Sequence, residues 1–291
     1  APKPLHAVRV ALREELDYRV LRISTARKKI VDQWLSQRGQ ALRKWGSDTS
    51  LQGRTLPHFG PDGNMFDELE NLFTVFAANG TGKQRYYIHT EDEAELHQGN
   101  PGTFTDWQAL SANCDLLFYE GLHGALVTEE INIAKHADLL IGVVPIINLE
   151  WMQKIHRDRS VRGYSADAAT AMILRRMPDY VHYICPQFSR TDINFQRVPT
   201  IDTSNPFTAT EIPTNDESMV VIHVANPGKI RPHYRHLLEM LHGSFMSRPD
   251  TIVVPAGKYV FAMELLLNPV VEILAQRRER NDRFVVLRYR R

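Results

Sequence analysis

Two uninterrupted apolar runs constrain this chain more than any other feature: Asp115-Leu116-Leu117-Phe118-Tyr119-Glu120 and Asp138-Leu139-Leu140-Ile141-Gly142-Val143-Val144. Successive residues of a strand point to opposite faces, so a run that is apolar at every position needs cover on both. Parallel sheets sandwiched between helices supply that cover. The segments that follow fit the scheme. Residues 148–163 read as a helix with Asn148 as N-cap and Gly163 just past its end, and Ser165–Met177 as a second helix from a Ser cap. Met219–Val224 and Thr251–Val254 read as further strands, and Gly257–Arg277 as a closing helix. Alternation of buried strand and helix predicts one doubly wound α/β domain across residues 1–291, with no linker to divide it.

The amino-terminal part is less regular. Residues 1–45 are strongly basic, with an uneven helical spacing through Leu12, Leu16, Arg19 and Ile23 that resumes at Ile30, Trp34 and Leu42. Gly and Pro crowd residues 46–63, predicting a loop. Phe66, Leu69, Leu72, Phe73 and Phe76 recur at helical spacing up to Asn79-Gly80. Arg85–His89 has the aromatic and β-branched character of a strand, and Asn100-Pro101-Gly102 that of a turn.

With 35 basic and 34 acidic residues, the chain has a formal charge of +1, which gives no compositional support for a nucleic-acid binder. Cys114 and Cys185 form neither a CxxC nor a metal spacing, so a reducing compartment is expected. No run of about 18 apolar residues predicts a membrane span, and the first residues lack the apolar core of a signal peptide. A cytoplasmic protein is the expectation.

Glu120 is the first candidate for chemistry. An acid at the carboxyl end of a buried parallel strand faces the crevice where α/β proteins bind ligands. It suits Mg²⁺ or a metal-bound water, and equally a cap on the following turn. Lys154, Arg157 and Arg162, with Arg175 and Arg176 on the next helix, form a basic constellation suited to phosphate. The alternative is a set of surface ion pairs, such as Glu150–Lys154 or Lys154–Asp158 at i,i+4. His89 and His156 are each compatible with a structural role. Gly80-Thr81-Gly82-Lys83-Gln84 imitates the end of a phosphate-binding loop. Gln84 stands where Ser or Thr should be and no buried strand precedes it, so a helix-to-strand loop is predicted. Asn205-Pro206-Phe207 is a turn signal.

Longer strings carry a resemblance: YYIHTEDEA (86–94), PGTFTDW (101–107), DLLFYEGLHGALV (115–127), IGVVPIINLEWMQKIHRDRSVRGY (141–164) and PQFSRTDINFQRVPTIDTSNPF (186–207). Together they are similar to bacterial phosphoribulokinases, over about 230 residues from His58-Phe59 onward. The resemblance implies a P-loop, nucleoside-monophosphate-kinase-like fold with a mixed sheet and flanking helices. It implies transfer of the ATP γ-phosphoryl to the 1-hydroxyl of ribulose 5-phosphate, in carbon fixation by the Calvin cycle. In that picture Glu120 is the acid that engages Mg–ATP, and Lys154 and Arg157 face the phosphates and the sugar. Arg162 binds the ribulose phosphate, His89 is a further substrate contact, and Arg175 and Arg176 close from a lid. A homo-oligomer activated by NADH is implied too. Arg248 matches one effector arginine, while His223 stands where a second is expected.

The family pattern also calls for an early strand, a Gly-rich loop and a Gly-Asp-x-Phe-His-Arg motif. Residues 1–45 hold a single glycine, Gly39, and no Phe-His-Arg occurs in the chain. Asp32 is the nearest acid to the expected base. The ATP cradle is thus not identified from sequence, and three readings compete. The leading one is a ribulose 5-phosphate kinase; the others are a pseudokinase that keeps the sugar-phosphate site, and a kinase of another acceptor.

Overall fold

The computed structural model describes residues 50–51, 54–55, 59–61, 63–88, 91–110, 115–160, 163–281 and 285–290. Asp32 and the whole of 1–45, with Cys114, His89 and Arg162, lie outside the described residues.

In chain order the elements begin with a short hairpin, β1 (Ser50–Leu51) and β2 (Arg54–Thr55), followed by α1 (Phe66–Asn79). Next come β3 (Lys83–Gln84), α2 (Glu91–His97), β4 (Gln108–Ala109), β5 (Leu116–Glu120), a 3-10 turn at Ile133–His136 and β6 (Leu139–Pro145). The middle of the chain holds α3 (Ile147–Ser160) and α4 (Ala166–Asp179), a π-turn at Tyr180–Ile184, a 3-10 turn at Cys185–Arg190, β7 (Ile193–Pro199) and β8 (Ser218–His223). The last part holds α5 (Pro227–Ile230), α6 (Tyr234–Met240), β9 (Phe245–Arg248), β10 (Thr251–Pro255), α7 (Tyr259–Asn281) and β11 (Val285–Arg290).

Seven strands form one mixed sheet in the order β5-β11-β6-β7-β8-β10-β9. β5, β11, β6 and β7 run parallel; β8, β10 and β9 pair antiparallel. Burial follows this division. All five residues of β5 are buried, so both of its faces are covered, as its continuous apolar run requires. In β8 only Ser218, Val220 and Ile222 are buried, the alternation of a strand covered on one side. At the edge, β9 is mostly exposed.

β11 lies between β5 and β6, with Val285 opposite Leu116 and Leu287 opposite Leu139. Its entry is fixed by Asp138, whose carboxylate accepts from the Val286 N–H at 2.9 Å while the Asp138 N–H donates to the Val286 carbonyl at 2.7 Å. The predicted helix at 257–277 is observed as α7. Ala256–Arg277 is long and apolar enough to cross a membrane by length and composition alone. Its Ala262, Met263, Leu266, Leu267, Val270, Val271 and Leu274 belong instead to the main core. α1 adds Phe66, Leu69, Leu72, Phe73 and Phe76 to that core, with Phe73 edge-on to Tyr119 at 5.3 Å.

Two local expectations are corrected. Arg85–His89 is not a strand among its described residues: only Tyr87 bridges Phe104. The ladder stops because the Tyr86 N–H is taken by the Thr105 hydroxyl at 2.8 Å rather than by a backbone carbonyl. Asn148 does not cap α3, which starts at Ile147; its side-chain amide instead donates to the Thr203 carbonyl at 2.9 Å. β7 and β11 were not foreseen at all. By contrast, the Ser165 cap holds, with its hydroxyl accepting from the Ala168 N–H at 3.1 Å. Gly80 is the left-handed cap of α1 (φ 69°), so the imitation phosphate loop is a helix-to-strand loop.

Candidate active site

The carboxyl ends of β5 and β6 open on one edge of the sheet, and α3 springs from β6 there. Glu120 ends β5 and is 7% exposed. The next residue must be small: a Cβ on Gly121 would collide with the phenol of Tyr119, which folds back over it. Residues 121–125 are then held from two sides. The Gln187 side chain, 1% exposed, donates to the Leu122 carbonyl at 2.9 Å and accepts from the Ala125 N–H at 3.1 Å. His123, also 1% exposed, sits 3.0 Å from the Phe59 carbonyl through Nε2 and lies against the Phe66 ring at 4.9 Å.

The basic constellation is built on α3 and α4. Lys154 Nζ donates to Asp158 Oδ2 at 2.6 Å, and Arg157 Nε lies 3.8 Å from Asp158 Oδ1. This is the i,i+4 pair that the sequence offered as a surface feature, but Asp158 is fully buried. A carboxylate with no solvent contact must be compensated by protein charge. Burial pushes the Lys154 ammonium below its ordinary range, and the nearby Arg157 and Arg176 push the same way; Asp158 opposes them. Arg176 is therefore brought toward Lys154, whereas Arg175 on the same helix is exposed. α4 is tied back to α3 by Tyr180, whose phenol donates to Glu150 Oε2 at 2.7 Å. Trp151 of α3 stacks on Phe207 at 5.0 Å, seating the Asn205-Pro206-Phe207 turn beside the helix.

The structure thus gathers Lys154 and Arg157 around one buried acid, brings Arg176 near Lys154, and places Glu120 at the same sheet edge. Sequence reasoning gave Asp158 only the role of a surface partner. Its burial is the signal that was missing, because i,i+4 spacing is the same on an exposed and a covered helix face. Gln187 was not singled out at all. Among the described residues no group of three or more His, Cys, Asp or Glu converges on a metal position. Glu120 is a single carboxylate at a strand end, a donor of the kind Mg²⁺ takes when it is carried on a nucleotide's phosphates.

The model of the phosphoribulokinase / uridine kinase family matches residues 44–204. The chromosomal phosphoribulokinase of Cupriavidus necator is 59% identical over 223 residues, covering 77% of this chain and 76% of that protein. The chain belongs to the phosphoribulokinase / uridine kinase family. The phosphoribulokinase of Nitrobacter vulgaris is 54% identical over 243 residues, 84% of this chain and 83% of that one. The solved phosphoribulokinase from Rhodobacter spheroides superposes with a TM-score of 0.70 at 52% identity, covering 77% of this chain and 78% of that one. This family membership agrees with the mixed sheet and flanking helices seen here, and with the P-loop kinase fold expected from the sequence strings.

His223 and Arg248, the two positions considered for an effector, flank Thr251 from β8 and β9. His223 Nε2 lies 3.4 Å from Asp250 Oδ2, and Arg248 is exposed.

Proposed function

We propose that this chain transfers the γ-phosphoryl group of ATP to the 1-hydroxyl of D-ribulose 5-phosphate, giving ribulose 1,5-bisphosphate and ADP. The observation that carries the reading is the buried Asp158 with Lys154 and Arg157 on it and Arg176 beside them, in a chain whose relatives at 52–59% identity are named phosphoribulokinases. Phosphoryl transfer needs little covalent help from the protein; it needs the two substrates in line and the spreading negative charge neutralised. Lys154, Arg157 and Arg176 supply that neutralisation. Asp158 holds Lys154 and Arg157 at fixed positions before substrate arrives, so the repulsion between them is offset in the free protein.

Glu120, at the end of a rigid strand, would hold Mg²⁺, which would supply positive charge against the phosphates of ATP. Arg162 and His89 are assigned to the ribulose phosphate by resemblance, and Arg175, exposed on α4, to closure over the bound substrates. A cytoplasmic homo-oligomer, with NADH acting through Arg248, completes the proposal.

The burial of Lys154 gives the reading a pH signature. Its ammonium deprotonates below the ordinary lysine value of about 10.4. The apparent KM for ribulose 5-phosphate is therefore expected to rise on the alkaline side before an ordinary lysine would titrate. The stability effect has the opposite sign. In that window the unfolded chain binds more protons at this position than the folded one, so the Lys154 contribution to stability grows with pH. Steady-state kinetics across pH 7 to 10 would show an alkaline limb in kcat/KM for the sugar phosphate that begins below the range of an ordinary lysine. The same limb persisting in Lys154→Met would contradict the assignment.

A further inference from the structure

We propose that Gln187 is a positioning residue for the nucleotide side of this site, coupling the arginine-bearing arm α4 to the loop that follows Glu120. The proposal rests on the reading that Glu120 engages Mg–ATP.

The chain leaves α4 through a stretch that cannot continue as a regular α-helix. Pro178 lies within α4, Tyr180–Ile184 is wound as a π-turn and Cys185–Arg190 as a 3-10 turn with Pro186 near its start. In a regular helix the Tyr183 carbonyl would accept from the N–H four residues on. Here the Gln187 side chain donates to it at 2.6 Å. The same amide nitrogen donates to the Leu122 carbonyl at 2.9 Å, and its oxygen accepts from the Ala125 N–H at 3.1 Å.

A single side chain, 1% exposed, thus satisfies buried backbone groups on two segments more than 60 residues apart in sequence. Leu122 and Ala125 bracket the turn that begins directly after Glu120, and Gly121 makes that turn sterically unforgiving. On the other segment, three residues before Tyr183, Tyr180 is bonded to Glu150 of α3, one helical turn before Lys154. Gln187 is therefore the joint through which movement of α4, carrying Arg175 and Arg176, reaches the Glu120 loop. Only a carboxamide has the donor and acceptor that the joint uses at once. A carboxylate keeps the bond from Ala125 but faces two carbonyl oxygens; once protonated it regains one donor.

The test uses Gln187→Glu and Gln187→Leu in the full 291-residue chain. For both, the apparent KM for Mg–ATP is expected to rise about 10-fold, the scale on which outer supports of a metal site act, with the KM for ribulose 5-phosphate changed less than about twofold. Gln187→Glu should also acquire a pH limb absent from the wild type, approaching wild-type kinetics at acid pH and losing activity as pH rises. Should Gln187→Leu fail to fold, the pH profile of Gln187→Glu decides alone. Wild-type KM values with an unchanged pH profile in Gln187→Glu would overturn the proposal, even if its Tm falls, because a merely structural amide would show only that fall. Glu120→Gln is measured in parallel. If it behaves like the wild type, the underlying reading of Glu120 fails and the Gln187 proposal with it. If it is inactive while the Gln187 variants are normal, only the Gln187 proposal fails.

Discussion

Glu120→Gln is expected to lower kcat about 10²–10³-fold, the usual cost of removing one preorganised electrostatic group from a reacting centre, while leaving the KM for ribulose 5-phosphate and the thermal unfolding midpoint nearly unchanged. The substitution is isosteric and keeps an acceptor oxygen at the end of β5, so a residue that served only to cap the turn at Gly121 would tolerate it. Its charge is what changes. A buried carboxylate at 7% exposure carries a desolvation cost that a neutral amide would avoid. Kinetics with Mg–ATP varied at saturating sugar phosphate would separate the two roles. Activity within about threefold of wild type, well below the loss expected of a group facing developing charge, would return Glu120 to a structural part.

The second large effect is expected at Asp158. Asp158→Ala should destabilise the fold by about 3 kcal/mol, because it leaves the partly covered Lys154 ammonium without its counter-charge beside two guanidinium groups. A surface pair of the kind first considered would cost under about 1 kcal/mol, so denaturant unfolding distinguishes the two directly. Turnover should fall as well, since Lys154 and Arg157 no longer share a fixed acid. The double variant Lys154→Met/Asp158→Leu removes both charges and should regain most of the stability, as apolar replacements of buried pairs do. It should not regain turnover. Recovery of both would mean that the pair holds the helix and contributes nothing to catalysis.

The parts of this fold that were legible are those fixed by local pattern. β5 and β6 announced themselves because they are apolar on both faces, save Glu120 at the end of β5, and α1 because its five core positions repeat at helical spacing. The Ser165 cap of α4 was legible because a hydroxyl before a helix has a specific donor to serve. What was not legible depends on partners distant in sequence. β7 mixes Asn194, Gln196 and Arg197 with its buried Ile193 and Phe195, a diluted pattern that becomes a strand by pairing with β6 on one side and β8 on the other. The position of β11 between β5 and β6 follows from pairing and from the Asp138 clasp, neither of which spacing can reveal.

The site divides in the same way. Glu120 could be read from its place at a strand end, and the lysine and arginines from their clustering on two helices. Asp158 was seen but misjudged, since burial decides its role and spacing does not report burial. Gln187 was invisible because a single glutamine says nothing until the carbonyls of Leu122 and Tyr183 are found on the same side-chain nitrogen. Family strings identified the relatives, and the geometry adds which basic residues share a common acid.

The central claim is that this chain phosphorylates ribulose 5-phosphate. Its most direct test is ADP release by the purified 291-residue chain, its intact mass confirmed, with Mg–ATP in the presence and absence of ribulose 5-phosphate. The expected result is ADP release that depends on the sugar phosphate and is matched mole for mole by ribulose 1,5-bisphosphate. Binding of ribulose 5-phosphate with no turnover at any Mg–ATP concentration would contradict it.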